Sequence, residues 1–416
     1  MSYTSRILDE ELAARLKATG AVVIEGPKAC GKTATARQVA ASEALFDVDA
    51  SVREAAAVDP ALVLDGPTPR LLDEWQLEPA IWNHVRRAID DRGIPGQFIL
   101  TGSAVPADDI TRHTGAGRIT RLRMRPMSLF ELGVSNGEIS LARLLAGDTP
   151  RQPDPGLAVA DLAREIATGG WPGFRSLPLD QALRAVRDYL TEIRRVDVRR
   201  VEGRRRDPER VGRLLRSLAR NVASYATATT LAADAGGTAG PLKDDTVREY
   251  LDALTRLMIV EDQPAWAPQL RSRYVLRSTP KRHFIDPSLA VAALRARPEQ
   301  LLRDMKLLGM LFESLVIRDL RVYSGAADAQ VLQYRDSHDL EVDAIVEVAD
   351  GRWAAFEVKL GAGQVDDAAA NLKRFAGQID TGRCGEPAVL GVIVGTGYGH
   401  VRKDGVAVIP IGALGP

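Results

Sequence analysis

Two stretches of this chain carry residue types whose spacing suits phosphate chemistry. In "AVVIEGPKACGKTATARQVA" an apolar run, Ala21 to Ile24, leads into Gly26, Pro27, Lys28, Ala29, Cys30, Gly31, Lys32 and Thr33, and then into an apolar helical pattern. Gly-x-x-x-x-Gly-Lys-Thr between a strand and a helix is the phosphate-cradling loop. Its glycines let backbone N–H groups wrap the phosphates. Lys32 reaches the β/γ oxygens, and the Thr33 hydroxyl can ligate Mg²⁺. ATP and Mg²⁺ are the expected cofactors. Cys30 is either a small filler or a redox-sensitive group within the loop.

A metal-holding acid should follow at the end of another strand. Asp65 ends "ALVLD", and Asp73-Glu74 lies in "RLLDEWQ". The second pair is preferred, with Asp73 in the metal shell and Glu74 polarising the attacking water. Asp65 precedes Gly-Pro-Thr-Pro and reads as a strand end and turn. "GQFILTGSA" predicts a buried strand, Phe98 to Leu100, ending in Thr101, Gly102 and Ser103. Ser103 either senses the γ-phosphate or belongs to a hydroxyl turn. Arg118 follows a Gly-rich turn. It contacts a phosphate in cis, contacts one from a neighbouring subunit, or is one of several solvated arginines with Arg121, Arg123 and Arg125.

The second stretch is "EVDAIVEVADGRWAAFEVKL", Glu341 to Leu360. It reads as a hairpin. A three-residue loop, Ala349-Asp350-Gly351, with a left-handed glycine, sets Asp343 opposite Glu357. Alternation brings Lys359 to the same face. The opposite face, Val342, Ala344, Val346 and Val348 against Ala354, Phe356 and Val358, is apolar and must be core. Facing acids destabilise a sheet, and a divalent cation between them would remove the repulsion. Glu313 lies on an apolar helical stripe with Met310, Val316, Ile317 and Leu320, where a lone carboxylate is costly.

These residues need elements to hold them, and the bulk composition says how many. The 416 residues suggest two or three domains. Lys+Arg and Asp+Glu balance at 55 each, so overall charge predicts no nucleic-acid partner and any basic surface must be local. Two cysteines exclude a disulfide framework. The N-terminus lacks an apolar signal core, and no run is long enough to span a bilayer. A cytoplasmic protein with no membrane partner is expected.

Between the two stretches the pattern is helical. Seven arginines lie from Arg194 to Arg206, offset by Asp197 and Glu202. They either meet DNA phosphates or form a solvated helical face. Thr230–Ala235, a Gly-rich turn, a helix from about Asp245 carrying Val247, Tyr250, Leu251, Leu254 and Leu257 on one stripe, and "IVEDQPAW" beyond it follow helix-turn-helix arithmetic. Its exposed positions, Lys243, Arg248 and Glu249, are not strongly basic. Gln333, Tyr334 and Arg335, one strand before the hairpin, either contact substrate or are ordinary strand residues, and the second reading is preferred.

In order, "GPKACGKT", "LLDEWQ", "FILTGS", "GRITRLRMRPMSLFEL" and "GGWPGF" resemble prokaryotic predicted ATPases of the AAA+ superfamily with a C-terminal domain of unknown function. The resemblance covers nearly the whole chain. It implies a multidomain α/β protein with a P-loop AAA+ core over 1–160, a helical lid and winged-helix region over 161–278, and a restriction-endonuclease-like domain over 279–416. It gives Lys32, Thr33, Asp73 and Glu74 the usual ATPase roles. Glu313, Asp343, Glu357 and Lys359 resemble the PD-(D/E)xK nuclease superfamily. That implies phosphodiester hydrolysis, with Asp343 and Glu357 holding Mg²⁺, Lys359 activating water and Glu313 completing the shell. The expectation is an ATP-regulated, Mg²⁺-dependent nuclease acting on DNA; the alternative is a non-cleaving, ATP-dependent nucleic-acid-binding switch or regulatory protein. An oligomer is compatible with either.

Overall fold

The computed structural model describes residues 3–103, 114–197, 207–237, 240–268 and 279–416. Two compact units emerge. The first is centred on the chain up to Pro126 and also claims Asp252–Ile259; the second holds most of the chain from Met127 onward.

The first unit is a five-stranded parallel sheet of β1 (Ala21–Glu25), β2 (Ser42–Leu45), β3 (Arg70–Asp73), β4 (Phe98–Gly102) and β5 (Ile119–Arg123), in the order β2-β3-β4-β1-β5. Its strands are near-continuous apolar runs because both faces are covered. Val23, Leu72, Phe98 and Leu100 face one core; Val22, Ile24, Leu71, Ile99 and Leu122 face the other. All strands end at the same edge, so Glu25, Asp73 and Gly102 are aligned there.

One expected strand is a helix instead. "ALVL" lies in the helix Pro60–Leu64, capped by Asp59, whose carboxylate accepts the Ala61 N–H, with Pro60 at its first position. Asp-Pro is a strong helix start and overrides the apolar run that suggested a strand.

The second unit is built on a six-stranded mixed sheet. β9 (Ala329–Arg335), β10 (Glu341–Val348) and β11 (Trp353–Lys359) form an antiparallel meander. β12 (Val389–Val394) and β14 (Ala407–Pro410) continue it in parallel, with β13 (His400–Val401) at the edge. The short strands β6 (Ile139–Ser140) and β15 (Leu414–Gly415) pair in parallel apart from this sheet. The helix Met305–Ala326 precedes the meander, and the helix Val365–Gln378 joins β11 to β12.

The hairpin turn has the expected geometry. Gly351 has φ +89°, Val348 N–H bonds Arg352 O at 2.8 Å, and the rungs run from Glu347–Trp353 to Ala344–Phe356. Its polar face is not open to water, however. Ile345, Trp353 and Ala355 on that face pack under Ala369, Leu372 and Phe375 of the helix Val365–Gln378, together with Trp266. Both faces are therefore core, and the acids sit where the covering helix leaves an opening.

The region before this sheet has the expected helices. Ala228–Ala235 is followed by Asp244–Arg256, whose Val247, Tyr250 and Leu254 are buried, as is Leu257 just beyond it; Arg248 and Glu249 on it and Lys243 just before it are exposed. β7 (Val260–Gln263) then pairs antiparallel with β8 (Lys281–Phe284). Of the arginine run, Arg194 meets Glu209 at 3.4 Å. The positions from Arg199 to Arg206 lie outside the described residues. Among the described residues no helix is long and apolar enough to cross a membrane.

Candidate functional site

The phosphate loop leaves the end of β1. Ala29 has φ +61° and Gly31 φ +108°, and Gly31 caps the helix Lys32–Ala36. A Cβ at Gly26 would strike the Met124 carbonyl, so only glycine passes there. Lys32 is buried inside the loop, its Nζ 2.9 Å from both the Gly26 and Pro27 carbonyl oxygens. The Cys30 thiol is buried against the Met124 carbonyl at 3.8 Å, a packing role. Lys28 and Pro27 belong to the same loop.

Across the sheet edge, the Thr33 hydroxyl donates to Asp73 Oδ1 at 2.8 Å, and the Thr101 hydroxyl donates to the same oxygen. Glu74 follows in the left-handed region, φ +55°. Ser103 Oγ donates to its Oε2 at 3.2 Å, and the Gln76 amide bonds the same oxygen. Thus Lys32, Thr33, Asp73, Glu74 and Ser103 gather at one edge because β4 lies between β1 and β3. A hydroxyl beside a carboxylate is a hard-oxygen pair that fits Mg²⁺, which takes few protein ligands and completes its shell with phosphate and water.

Arg118 is elsewhere. It precedes β5, its carbonyl accepts the Ala21 N–H at the start of β1, and its guanidinium is 2.5 Å from Asp90. The loop leaves the other end of β1, so contact with a phosphate in cis is corrected: the full length of the strand separates them. A role toward a neighbouring subunit and the reading as a solvated arginine both stay open, and the half-exposed pair with Asp90 fits the second.

In the second unit, Asp343, Glu357 and Lys359 do converge. Lys359 Nζ lies 2.6 Å from Glu357 Oε2 and 3.5 Å from Asp343 Oδ2. The ladder stops short of them. Ala344–Phe356 is the last rung, and the Val358 N–H bonds Asp343 Oδ2 at 2.9 Å. β10 also bulges against β9 between Val342 and Ile345, and bulges re-aim side chains. The Gln263 amide fixes this bulge, donating at 2.9 Å to both the Leu332 and Asp343 carbonyls. His283 Nε2 in turn meets Gln263 Oε1 at 3.0 Å and its Nδ1 meets Ser314 Oγ at 3.3 Å. Burial holds that imidazole well below its ordinary pKa, so it is neutral.

Glu313 reaches the cluster through a residue that the sequence reading passed over. Lys281, the first residue of β8, places its Nζ 2.7 Å from Glu313, 2.5 Å from Glu341 and 3.0 Å from Asp343 Oδ1. Nothing in "TPKRHFID" marks Lys281 as special; only the tertiary fold buries it. Asn371 donates to Glu357 Oε1 at 2.8 Å. Asp339, Glu341, Asp343, Glu357, Lys359, Asp367 and Asn371 border an open cleft of about 390 Å³.

The cluster splits its carboxyls into two kinds. Burial works against ionised Asp343, but Lys281, Lys359 and the Val358 N–H together hold it at about 2. Burial, and then the Asp343 charge, raise Glu313 to about 8 and Glu357 to about 7 against the pull of their lysines. All four oxygens of Asp343 and Glu357 accept from protein donors. Among the described residues no three carboxylate, imidazole or thiol groups form a ready metal cage. As arranged, then, these residues do not fit a divalent ion.

Residues 18–133 are similar to the AAA domain family, which supports an AAA-type ATPase domain in the first part of the chain. Residues 159–300 match a domain of unknown function (DUF8612), and residues 308–414 match another (DUF4143). No curated protein matches the chain. Among solved structures, the Walker-type ATPase PABY2304 of Pyrococcus abyssi aligns at 13% identity with a TM-score of 0.39, over 69% of this chain and 94% of that one.

Proposed function

We propose that the first unit binds and hydrolyses ATP. The observation that carries this is the 2.8 Å Thr33–Asp73 hydrogen bond beside the Lys32 cradle, at one sheet edge. Thr33 and Asp73 would hold Mg²⁺, which supplies charge neutralisation at the β/γ oxygens. Backbone N–H groups of the loop and the Lys32 ammonium bind the phosphates. Glu74, oriented by Ser103 and Gln76, polarises the attacking water. In nucleotide-binding and hydrolysis assays, Lys32→Ala should lower both affinity and turnover at least tenfold. Glu74→Gln should keep ATP bound while turnover falls. Unaltered turnover in Lys32→Ala would refute the assignment.

For the second unit we favour a nucleic-acid-binding role governed by ATP, without cleavage, over Mg²⁺-dependent cleavage. The supporting observation is that Asp343 and Glu357 have no carboxylate oxygen without a donor. DNA is the proposed partner, on the strength of the Arg194–Arg206 run and the helix-turn-helix pattern. Binding should weaken steeply with salt. Plasmid incubated with Mg²⁺, with and without ATP, should stay supercoiled. Nicking that Asp343→Ala abolishes would restore the nuclease reading.

A further inference from the structure

Lys281 is a lysine almost wholly shielded from water. Its side chain is 2% exposed, and its ammonium lies within 3.0 Å of Glu313, Glu341 and Asp343, with the Tyr225 ring centroid at 5.5 Å. An ammonium has three donors, and three carboxylates meet them here. Burying an unpaired ammonium is prohibitive, whereas one matched by carboxylates is tolerated.

We infer that Lys281 is the resident cation of this acid cluster: its ammonium takes the Glu313 and Asp343 oxygens that a nuclease-like acid set would offer a divalent ion, and the second unit folds around lysine in place of metal. The inference rests on reading Glu313, Asp343, Glu357 and Lys359 as such a set. Lys359 completes the arrangement by pairing with Glu357 at 2.6 Å. Two ammoniums thus face four carboxylates, Glu313, Glu341, Asp343 and Glu357. A divalent ion added to this set would crowd Lys281 with like charge at hydrogen-bonding distance. The same logic sets what the cleft accepts. Asp367 adds negative charge at its border, while Asp339 there is paired with Arg335 at 2.6 Å and Lys359 with Glu357, so a phosphodiester meets carboxylates whose nearby cations are already engaged.

The experiment is a Mn²⁺ titration of the full chain without nucleotide, by calorimetry and thermal shift, in an Asp73→Asn background that removes the carboxylate of the nucleotide site. With Lys281 intact, no Mn²⁺ uptake and no metal-dependent shift in Tm are expected. Lys281→Ala should gain one Mn²⁺ per chain and a Tm that rises with Mn²⁺, and adding Asp343→Asn should abolish both. Lys281→Gln keeps a donor in place and serves if the alanine variant does not fold. Mn²⁺ uptake with Lys281 intact, lost in Asp343→Asn, would overturn the inference while leaving the nuclease-like reading standing. A folded Lys281→Gln that takes up no Mn²⁺ would also overturn it. If Asp343→Asn with Lys281 intact then costs no stability, the nuclease-like reading falls as well.

Discussion

Glu357 shows how burial and pairing compete at a single residue. Lys359 and Asn371 each hold one of its oxygens, yet burial and the neighbouring Asp343 charge raise its pKa from 4.5 to about 7. The folded state therefore keeps a proton that the unfolded chain has released. Stability contributed by this group is full below the unfolded pKa and falls as pH rises from 4.5 to about 7; Glu313 extends the fall to about 8. Urea midpoints measured from pH 5 to 9 should decline across that window, and Glu357→Gln should decline less. Superimposable slopes would show that Glu357 is ionised throughout. The sequence made Glu357 and Asp343 visible through strand parity. It could not show Lys281, because a lysine in a short strand is ordinarily solvated, and only the packing of β8 against the helix Met305–Ala326 and β10 buries it.

That helix is the element on which the second unit turns. Besides Glu313, it carries Ser314 against His283, and Arg318, whose guanidinium lies 2.8 Å from Asp286 and 2.7 Å from Asp319 with all three buried. Asp286 also accepts the Gly170 N–H, and Asp319 the Leu129 N–H, both at 3.0 Å. The segments "MSLFEL" and "GGWPGF" are thereby stitched to one buried ion triad. A Cβ at Gly170 would run into the Met127 backbone. Gly170→Ala should therefore cost about 2–3 kcal/mol by overpacking. Asp286→Ala, which strands the Arg318 charge, should cost about 3–5 kcal/mol. Chemical denaturation checks both, and a loss below about 0.5 kcal/mol for either would contradict the role given to the triad. Element types with local signals were legible: the loop between β1 and its helix, and the Gly351 turn. What covered each face was not. The hairpin's polar ends suggested a wet face, while Ile345, Ala355 and Trp353 on that face called for the covering helix.

At the scale of the molecule, the division into two units gives each unit its own core. The first closes around Val22, Ile24 and Leu100 on a parallel sheet; the second closes around Trp266, Trp353 and Phe375. A ligand that binds only the native first unit stabilises that unit by mass action, by about 2.7 kcal/mol at a hundredfold excess over Kd. ATP with Mg²⁺ binds there in the function proposed above, whereas the ion triad and the Lys281 cluster lie wholly in the second unit. Calorimetry should then resolve two transitions. ATP should raise one of them, and Lys32→Ala should abolish that rise without moving the other. Gly170→Ala should lower the transition that ATP leaves in place. A single transition that both perturbations move together would mean that the two units unfold as one cooperative block, and that nucleotide binding energy reaches the Lys281 cluster through the fold itself.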